Sequence, residues 1–220
     1  MDFKYAIFDA DGTILDSMQY WKCVASRYII SLKKTPKPEL DKTVQNMSLK
    51  ESALFLKSEY DISDDAETIM ASIDKSIEKY YEKEVETKSG VLEFIKDLKK
   101  RNIGMSIASA TDEYLLDMAL KRCGLRDYFD KIYTCSSIGF GKDRPFIFRA
   151  AVNDYNISKN ECLVFDDALY AIKTAKDDGF ITIGIFDSIQ SDAEAIKNTC
   201  DYYLDNFENL DGFWNFVKGR

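Results

Sequence analysis

Asp9 and Asp11 stand two residues apart at the end of a short apolar run, residues 5–8, where the chain meets Gly12 and Thr13. An apolar run of this length bounded by charge reads as a strand buried on both faces of a parallel sheet. The two acids then fall at its carboxyl end, the edge of an open α/β sheet where ligands bind. Carboxylates so close repel each other unless a cation or a proton intervenes, so this stretch calls for a metal ion. Other apolar runs also end in polar groups. Residues 104–108 deliver Ser109, residues 162–165 deliver Asp166 and Asp167, and Lys142 follows Gly139-Phe140-Gly141 ahead of a helical segment. If these runs are neighbouring strands, four acids, one hydroxyl and one ammonium meet at a single sheet edge.

The elements that must position these groups alternate in a regular way. From Ser89-Gly90 onward, strand candidates at 104–108, 131–135, 162–165, 182–186 and 202–204 are separated by helical patterns. Those helices start near Val91, Asp112, Arg144, Ala168, Ser188 and Asn206, and Gly124 marks a helix end. Alternation of this kind specifies α/β architecture with a doubly wound parallel sheet.

The segment between the first strand and Ser89 is different. Trp21, Val24, Ala25, Tyr28, Ile29 and Leu32 recur at helical spacing until Thr35-Pro36-Lys37-Pro38 ends the pattern. Leu49, Ala53, Leu56 and Tyr60 mark a second helix, and Met70, Ile73, Ile77 and Tyr80 a third. A parallel crossover needs only a dozen or so residues, so residues 17–87 read as an inserted all-helical domain. Residues 1–16 and 88–220 then form the core. The Trp21 and Tyr28 stripe is expected to pack inside the insert. Gln19, Tyr20 and Lys50 are weak candidates for facing a substrate.

The bulk numbers exclude several classes of function. A net charge of −8 without a basic stripe argues against nucleic acid as a partner. Five widely spaced cysteines, with no Cys-x-x-Cys pair, suggest neither a disulfide framework nor a zinc site. Histidine is absent, so Ser-His and Cys-His nucleophile pairs are excluded, and proton transfer must use a carboxylate, Lys, Cys, Tyr or water. No stretch approaches membrane-spanning length and no secretion signal opens the chain, so a cytoplasmic protein with no membrane partner is expected. Asn46-Met47-Ser48 and Asn156-Ile157-Ser158 match the glycosylation pattern, which without secretion has no consequence. A monomer is expected, with a weak dimer as the alternative.

The motif set Asp9-Ala10-Asp11-Gly12-Thr13 with Asp16-Ser17, then Ser109, Lys142 and Asp166-Asp167, resembles the haloacid-dehalogenase-like superfamily. The match is to its branch with an inserted helical cap, the β-phosphoglucomutase- and phosphoglycolate-phosphatase-like proteins, and it runs across nearly the whole chain. The resemblance implies a Rossmann-like core and a Mg²⁺-dependent phosphatase that acts on a small phosphorylated metabolite, with the cap closing as a lid. Asp9 would be the nucleophile that becomes an aspartyl-phosphate, since a carboxylate attacks phosphorus without prior deprotonation. Asp11 would protonate the leaving oxygen and then activate water. Mg²⁺ would be held by Asp9 and Asp167, with Asp166 assisting and Asp11 contributing its backbone carbonyl. Lys142 would steady the transferring phosphoryl group and Asp9, and Ser109 with the backbone from Ala110 onward would donate to phosphate oxygens. Gly12 would allow the turn beside the phosphate, and Thr13 would hydrogen-bond to fix the nucleophile.

Asp143-Arg144-Pro145-Phe146 and Tyr170-Ala171 depart from the usual pattern of that family without removing a reacting group. A sugar-phosphate mutase shares the core, but such relatives use a cap histidine that Ser17-Met18-Gln19-Tyr20-Trp21 lacks. Dehalogenation would leave Asp11, Asp166 and Asp167 without a purpose, and phosphonate-cleaving relatives lack the acid at position 11. A metabolite-binding protein that kept the fold without catalysis is the non-enzymatic alternative, though such proteins usually lose a reacting residue and none is missing here.

Overall fold

Strand β1, Tyr5–Phe8, is buried along its whole length because it lies inside the sheet with a partner on each side. The computed structural model describes residues 3–45 and 47–219, so Asn46 of the first glycosylation match lies outside the described residues. The other strands are β2 (Gly104–Ser109), β3 (Lys131–Thr134), β4 (Cys162–Asp166), β5 (Ile181–Ile185) and β6 (Tyr202–Leu204). They form one six-stranded sheet in the order β3-β2-β1-β4-β5-β6. Every pairing is parallel. The fold is therefore α/β with a doubly wound parallel sheet, as the alternation of patterns requires.

Pleating sends alternate residues to opposite faces of the sheet, and both faces are covered. On one face Tyr5, Ile7, Cys162 and Val164 pack with Ile147, Phe148, Ala151 and Val152 of the helix Phe146–Asp154, and with Ala171 and Ala175 of the helix Leu169–Asp177. On the other face the rings of Phe8 and Phe165 stack at 4.3 Å. Phe94, from the helix Val91–Lys100, meets Phe213 at 4.9 Å and Phe207 at 5.1 Å. Burial of each such ring contributes roughly 1.5–3 kcal/mol. Gly104 opens β2 because a Cβ there would lie 2.6 Å from the Tyr5 ring.

Two compact units divide the chain. The larger comprises Met1–Ser17 with Val85–Arg220, and the smaller is Met18–Glu84. Ser17 and residues 85–87 thus belong with the sheet rather than with the helical insert. The reason is local: Asp16 N–H donates to the Glu86 carbonyl at 2.9 Å, and Leu15 bridges Thr87 antiparallel.

Within the smaller unit the described elements are helices Met18–Trp21, Val24–Ser31, Leu40–Val44, Leu49–Glu59 and Ala66–Lys83. Ser48 opens the fourth with a capping box and Asp65 caps the last. Tyr28 is buried, Tyr20 stacks on Tyr80 at 3.9 Å, and Trp21 Nε1 donates to the Tyr81 hydroxyl at 2.9 Å. These aromatics are packing residues of the insert. Gln19 and Lys50 are exposed.

Several boundaries depart from the sequence pattern. The single helix expected across Trp21 to Leu32 is broken at Lys22-Cys23, and Leu40–Val44 forms a further short helix. Cys135 begins the helix Cys135–Ile138 instead of ending β3, since Thr134 Oγ1 accepts the Ser137 N–H at 3.1 Å. The helix expected near Ser188 starts at Ala193, because Asp187 Oδ1 accepts the Ile189 N–H at 2.8 Å and holds a turn there. The last helix starts at Leu210, where Asn209 caps the Gly212 N–H.

Candidate active site

Parallel register brings the acids together. Phe8 lies level with Ile107 of β2 and with Phe165 of β4, so the next residues, Asp9 and Asp166, are neighbours across two strands. The Asp9 N–H donates to the Phe165 carbonyl at 2.8 Å, continuing the ladder one residue past the strand. Asp9 lies on the same face as Tyr5 and Ile7, and Asp166 on the same face as Val164. That face is the one the helix Phe146–Asp154 covers. Lys142 precedes this helix, and its ammonium reaches Asp9 and also Asp166 Oδ2, the latter at 2.9 Å. Lys142 is only 4% exposed, so the contacts are made out of water.

Asp167 completes the group. One carboxylate oxygen from each of Asp9, Asp166 and Asp167 lies within 4.8 Å of the others, and all three residues are buried. Thr13 Oγ1 donates to Asp167 Oδ1 at 3.4 Å and Gln190 Nε2 donates to Asp167 Oδ2 at 3.0 Å. Thr13 therefore holds Asp167, where the sequence reading had it hold Asp9. Asp166 Oδ1 accepts the Ala168 N–H at 2.9 Å, closing a turn ahead of the helix Leu169–Asp177.

Burial and the charges beside it raise the Asp9 carboxyl well above the usual range. Desolvation is the largest cause, Lys142 opposes it, and Asp166 and Asp167 add to it. The Asp167 carboxyl is pushed up to about 6, by burial first and by Asp166 second. Burial alone would lower the Lys142 ammonium, but Asp166 and Asp9 outweigh it and the net direction is upward. Lys142 thus touches two of the three buried acids, Asp9 and Asp166. Their oxygens are hard donors of the kind a small divalent cation takes, and a further positive charge would relieve the repulsion that raises Asp9 and Asp167. The residues present fit a metal ion.

Asp11 stands apart from this group. Ser17 Oγ donates to its Oδ1 at 2.6 Å and Thr111 Oγ1 to its Oδ2 at 2.7 Å. Its side chain is therefore held by hydroxyls and is not among the carboxylates gathered within 4.8 Å of one another. The turn that separates Asp11 from Asp9 is tight: the N–H groups of Ile14 and Leu15 both donate to the Ala10 carbonyl, and Gly12 takes φ 81°. Only glycine adopts that conformation without strain.

Ser109 ends β2 and is buried, and its Oγ accepts the Thr111 N–H at 3.1 Å. The exposed Ala110 lies between them. The helix Glu113–Arg122 starts just beyond, on Asp112. Lys142 bonds Asp9 and Asp166, Thr13 bonds Asp167, and the three acids gather within 4.8 Å of one another, while hydrogen bonds join 11 to 17 and 111, and 111 to 109. Gln190 was not legible: a glutamine in a polar loop carries no pattern. Thr111 had a weak signal, a second hydroxyl two residues past Ser109 at the same strand end.

A doubly wound sheet with an inserted helical unit and an acid-lysine cluster at its carboxyl edge defines the class of scaffold. Residues 6–185 match the family model of haloacid dehalogenase-like hydrolases, and the chain belongs to that family. Among characterised relatives, a phosphorylated carbohydrates phosphatase of Thermotoga maritima is 23% identical over 191 residues, covering 86% of this chain and 88% of the relative. Among solved structures, a Thermotoga maritima protein provisionally named a β-phosphoglucomutase superposes with a TM-score of 0.85 at 20% identity, covering 96% of this chain and 99% of that one. The Bacillus subtilis protein YfnB, provisionally classed as a HAD hydrolase and solved with magnesium, has a TM-score of 0.77 at 17% identity, covering 98% of this chain and 100% of that one. Among the described residues no helix is long and apolar enough to cross a membrane.

Proposed function

We propose that this protein is a Mg²⁺-dependent phosphatase that hydrolyses a small phosphorylated metabolite through a phosphorylated Asp9. The observation that carries the reading is the division of labour among its acids. Asp9 is held by Lys142 within the buried cluster, whereas Asp11 is held apart on two hydroxyls. Two carboxylates in different environments can take different roles.

In the first step an Asp9 carboxylate oxygen forms a bond to phosphorus as the bond from phosphorus to the ester oxygen breaks. Asp11 gives its proton to the departing alkoxide. Water then attacks the acyl phosphate, Asp11 takes the water proton, and the bond from phosphorus to Asp9 breaks to release inorganic phosphate. Lys142 holds the Asp9 carboxylate in place and offsets negative charge on the transferring group. Ser109 and the N–H groups that follow it donate to phosphate oxygens. Asp9, Asp166 and Asp167, with the Asp11 carbonyl, would hold Mg²⁺, which supplies charge neutralisation between the anionic ester and the acids. The T. maritima phosphatase named for phosphorylated carbohydrates supports a sugar phosphate as substrate.

The test is phosphate release from a generic aryl phosphate and from a panel of phosphorylated sugars, nucleotides and carboxylic acids, with Mg²⁺ or with EDTA. Turnover that needs Mg²⁺ and disappears in Asp9→Asn supports the reading; turnover that survives both changes overturns it. The mutase reading ranks second because the chain has no histidine to activate a sugar hydroxyl. Interconversion of glucose 1-phosphate and 6-phosphate faster than hydrolysis would reverse the order.

A further inference from the structure

The loop after β5 returns across the sheet edge to Asp167. Gln190 Nε2 donates to Asp167 Oδ2 at 3.0 Å, from a turn that is itself built on a buried acid. Asp187 Oδ1 accepts the Ile189 N–H at 2.8 Å and the Asp187 carbonyl accepts the Gln190 N–H at 3.2 Å. Asp187 Oδ2 pairs with Lys88 Nζ at 2.8 Å, and the two side chains are 3% and 14% exposed. Lys88 also donates from Nζ to the Phe186 carbonyl at 2.6 Å and from its backbone to the Ile14 carbonyl at 3.0 Å. An unbroken series of contacts thus runs from the turn behind Asp11, through Lys88 and Asp187, to Gln190 and Asp167.

We propose that Gln190 is a positioning residue that aims the Asp167 carboxylate for metal binding, and that the Lys88–Asp187 pair braces the loop presenting it. This rests on the reading of Asp167 as a Mg²⁺ ligand. The residue type suits the task. A neutral amide fixes one carboxylate oxygen without bringing a positive charge that would compete with the cation. A lysine there would neutralise the ligand, and a glutamate would offer no donor. Thr13 approaches the other oxygen at 3.4 Å, the long limit of a hydrogen bond, so Gln190 makes the tighter of the two contacts. Asp187 is buried beneath the turn, so its removal threatens the fold, whereas Gln190 is half-buried and sits in the turn itself.

The experiment is calorimetric titration of the full chain with MgCl₂, in wild type, Gln190→Met, Gln190→Asn, Asp187→Asn and Asp167→Asn, with thermal scans in EDTA. Gln190→Met keeps the length of the side chain and removes the donor. It is expected to weaken Mg²⁺ binding by about 10–100-fold with the melting temperature in EDTA unchanged, the effect typical of losing an outer partner of a metal ligand. At saturating Mg²⁺ its kcat recovers, which a merely structural defect would not allow. Gln190→Asn, which retains a donor, is expected to bind between the two. Asp187→Asn is expected to act in the same direction; if it unfolds, the Gln190 variants decide. Mg²⁺ binding by Gln190→Met equal to wild type, with Asp167→Asn binding none, overturns the positioning role alone. Binding that is absent in wild type, or that survives Asp167→Asn, overturns the metal reading beneath it.

Discussion

Lys142 Nζ stands 2.9 Å from Asp166 Oδ2, and the two side chains are 4% and 1% exposed. The same ammonium contacts Asp9, so one lysine serves two acids of a three-acid cluster in a place water does not reach. Breaking a buried pair by removing one partner leaves an uncompensated charge and costs roughly 3–5 kcal/mol. Lys142→Met is therefore expected to lower the melting temperature and to reduce kcat by about 10²-fold or more. Thermal scans and steady-state assays check this; a variant as active as wild type would remove Lys142 from the site.

Asp11 offers a separable test because its carboxylate accepts from the Ser17 and Thr111 hydroxyls and lies outside the group of acids gathered within 4.8 Å of one another. A nitrophenolate leaving group needs no proton from the enzyme, so Asp11→Asn should still transfer the phosphoryl group to Asp9 and then stall. Rapid mixing with p-nitrophenyl phosphate is expected to show a burst of nitrophenolate stoichiometric with enzyme, followed by turnover slowed about 10²–10⁴-fold. Slow turnover without a burst would deny Asp11 its part in the second step.

The raised acids predict a linkage between pH and metal. Asp167 is pushed up to about 6 in the folded chain from an ordinary value of 3.8, and Asp9 moves in the same direction. Between those values the folded state binds protons that the unfolded state does not, so stability of the metal-free protein falls as pH rises through that window. A cation that binds the ionised acids removes this penalty. The rise in melting temperature on adding Mg²⁺ is thus expected to be larger at about pH 7 than at about pH 5. Equal shifts at the two pH values would contradict the burial of these acids beside a metal.

Phe94 tests the scaffold without touching the chemistry. It is 1% exposed and meets Phe8, Phe165, Phe207 and Phe213 edge-on. Phe94→Ala is expected to cost about 3–5 kcal/mol by urea denaturation, with kcat per folded molecule preserved. A loss under about 1 kcal/mol would mean that the aromatic face is not packed as described.

How much of this was legible follows from which forces set each feature. The strands were readable because burial on both faces makes them continuous apolar runs, and the acids because they interrupt those runs at one end. The nearness of Asp9 to Asp166 needed only parallel order. What could not be read depends on side-chain hydrogen bonds across long sequence gaps: Thr13 turned to Asp167, Thr111 reached Asp11, and Gln190 was drawn in from a loop. Helix starts near 188 and 206 shifted because Asp187 and Asn209 bind the backbone locally, which periodicity does not see.

The central claim is tested most directly by rapid quenching of the enzyme with Mg²⁺ and a phosphate ester, followed by peptide mass spectrometry. A phosphoryl group on the peptide carrying Asp9, present in wild type, enriched in Asp11→Asn and absent in Asp9→Asn, is the expected result. Phosphate release with the adduct on another residue, or with none at any quench time, would contradict it.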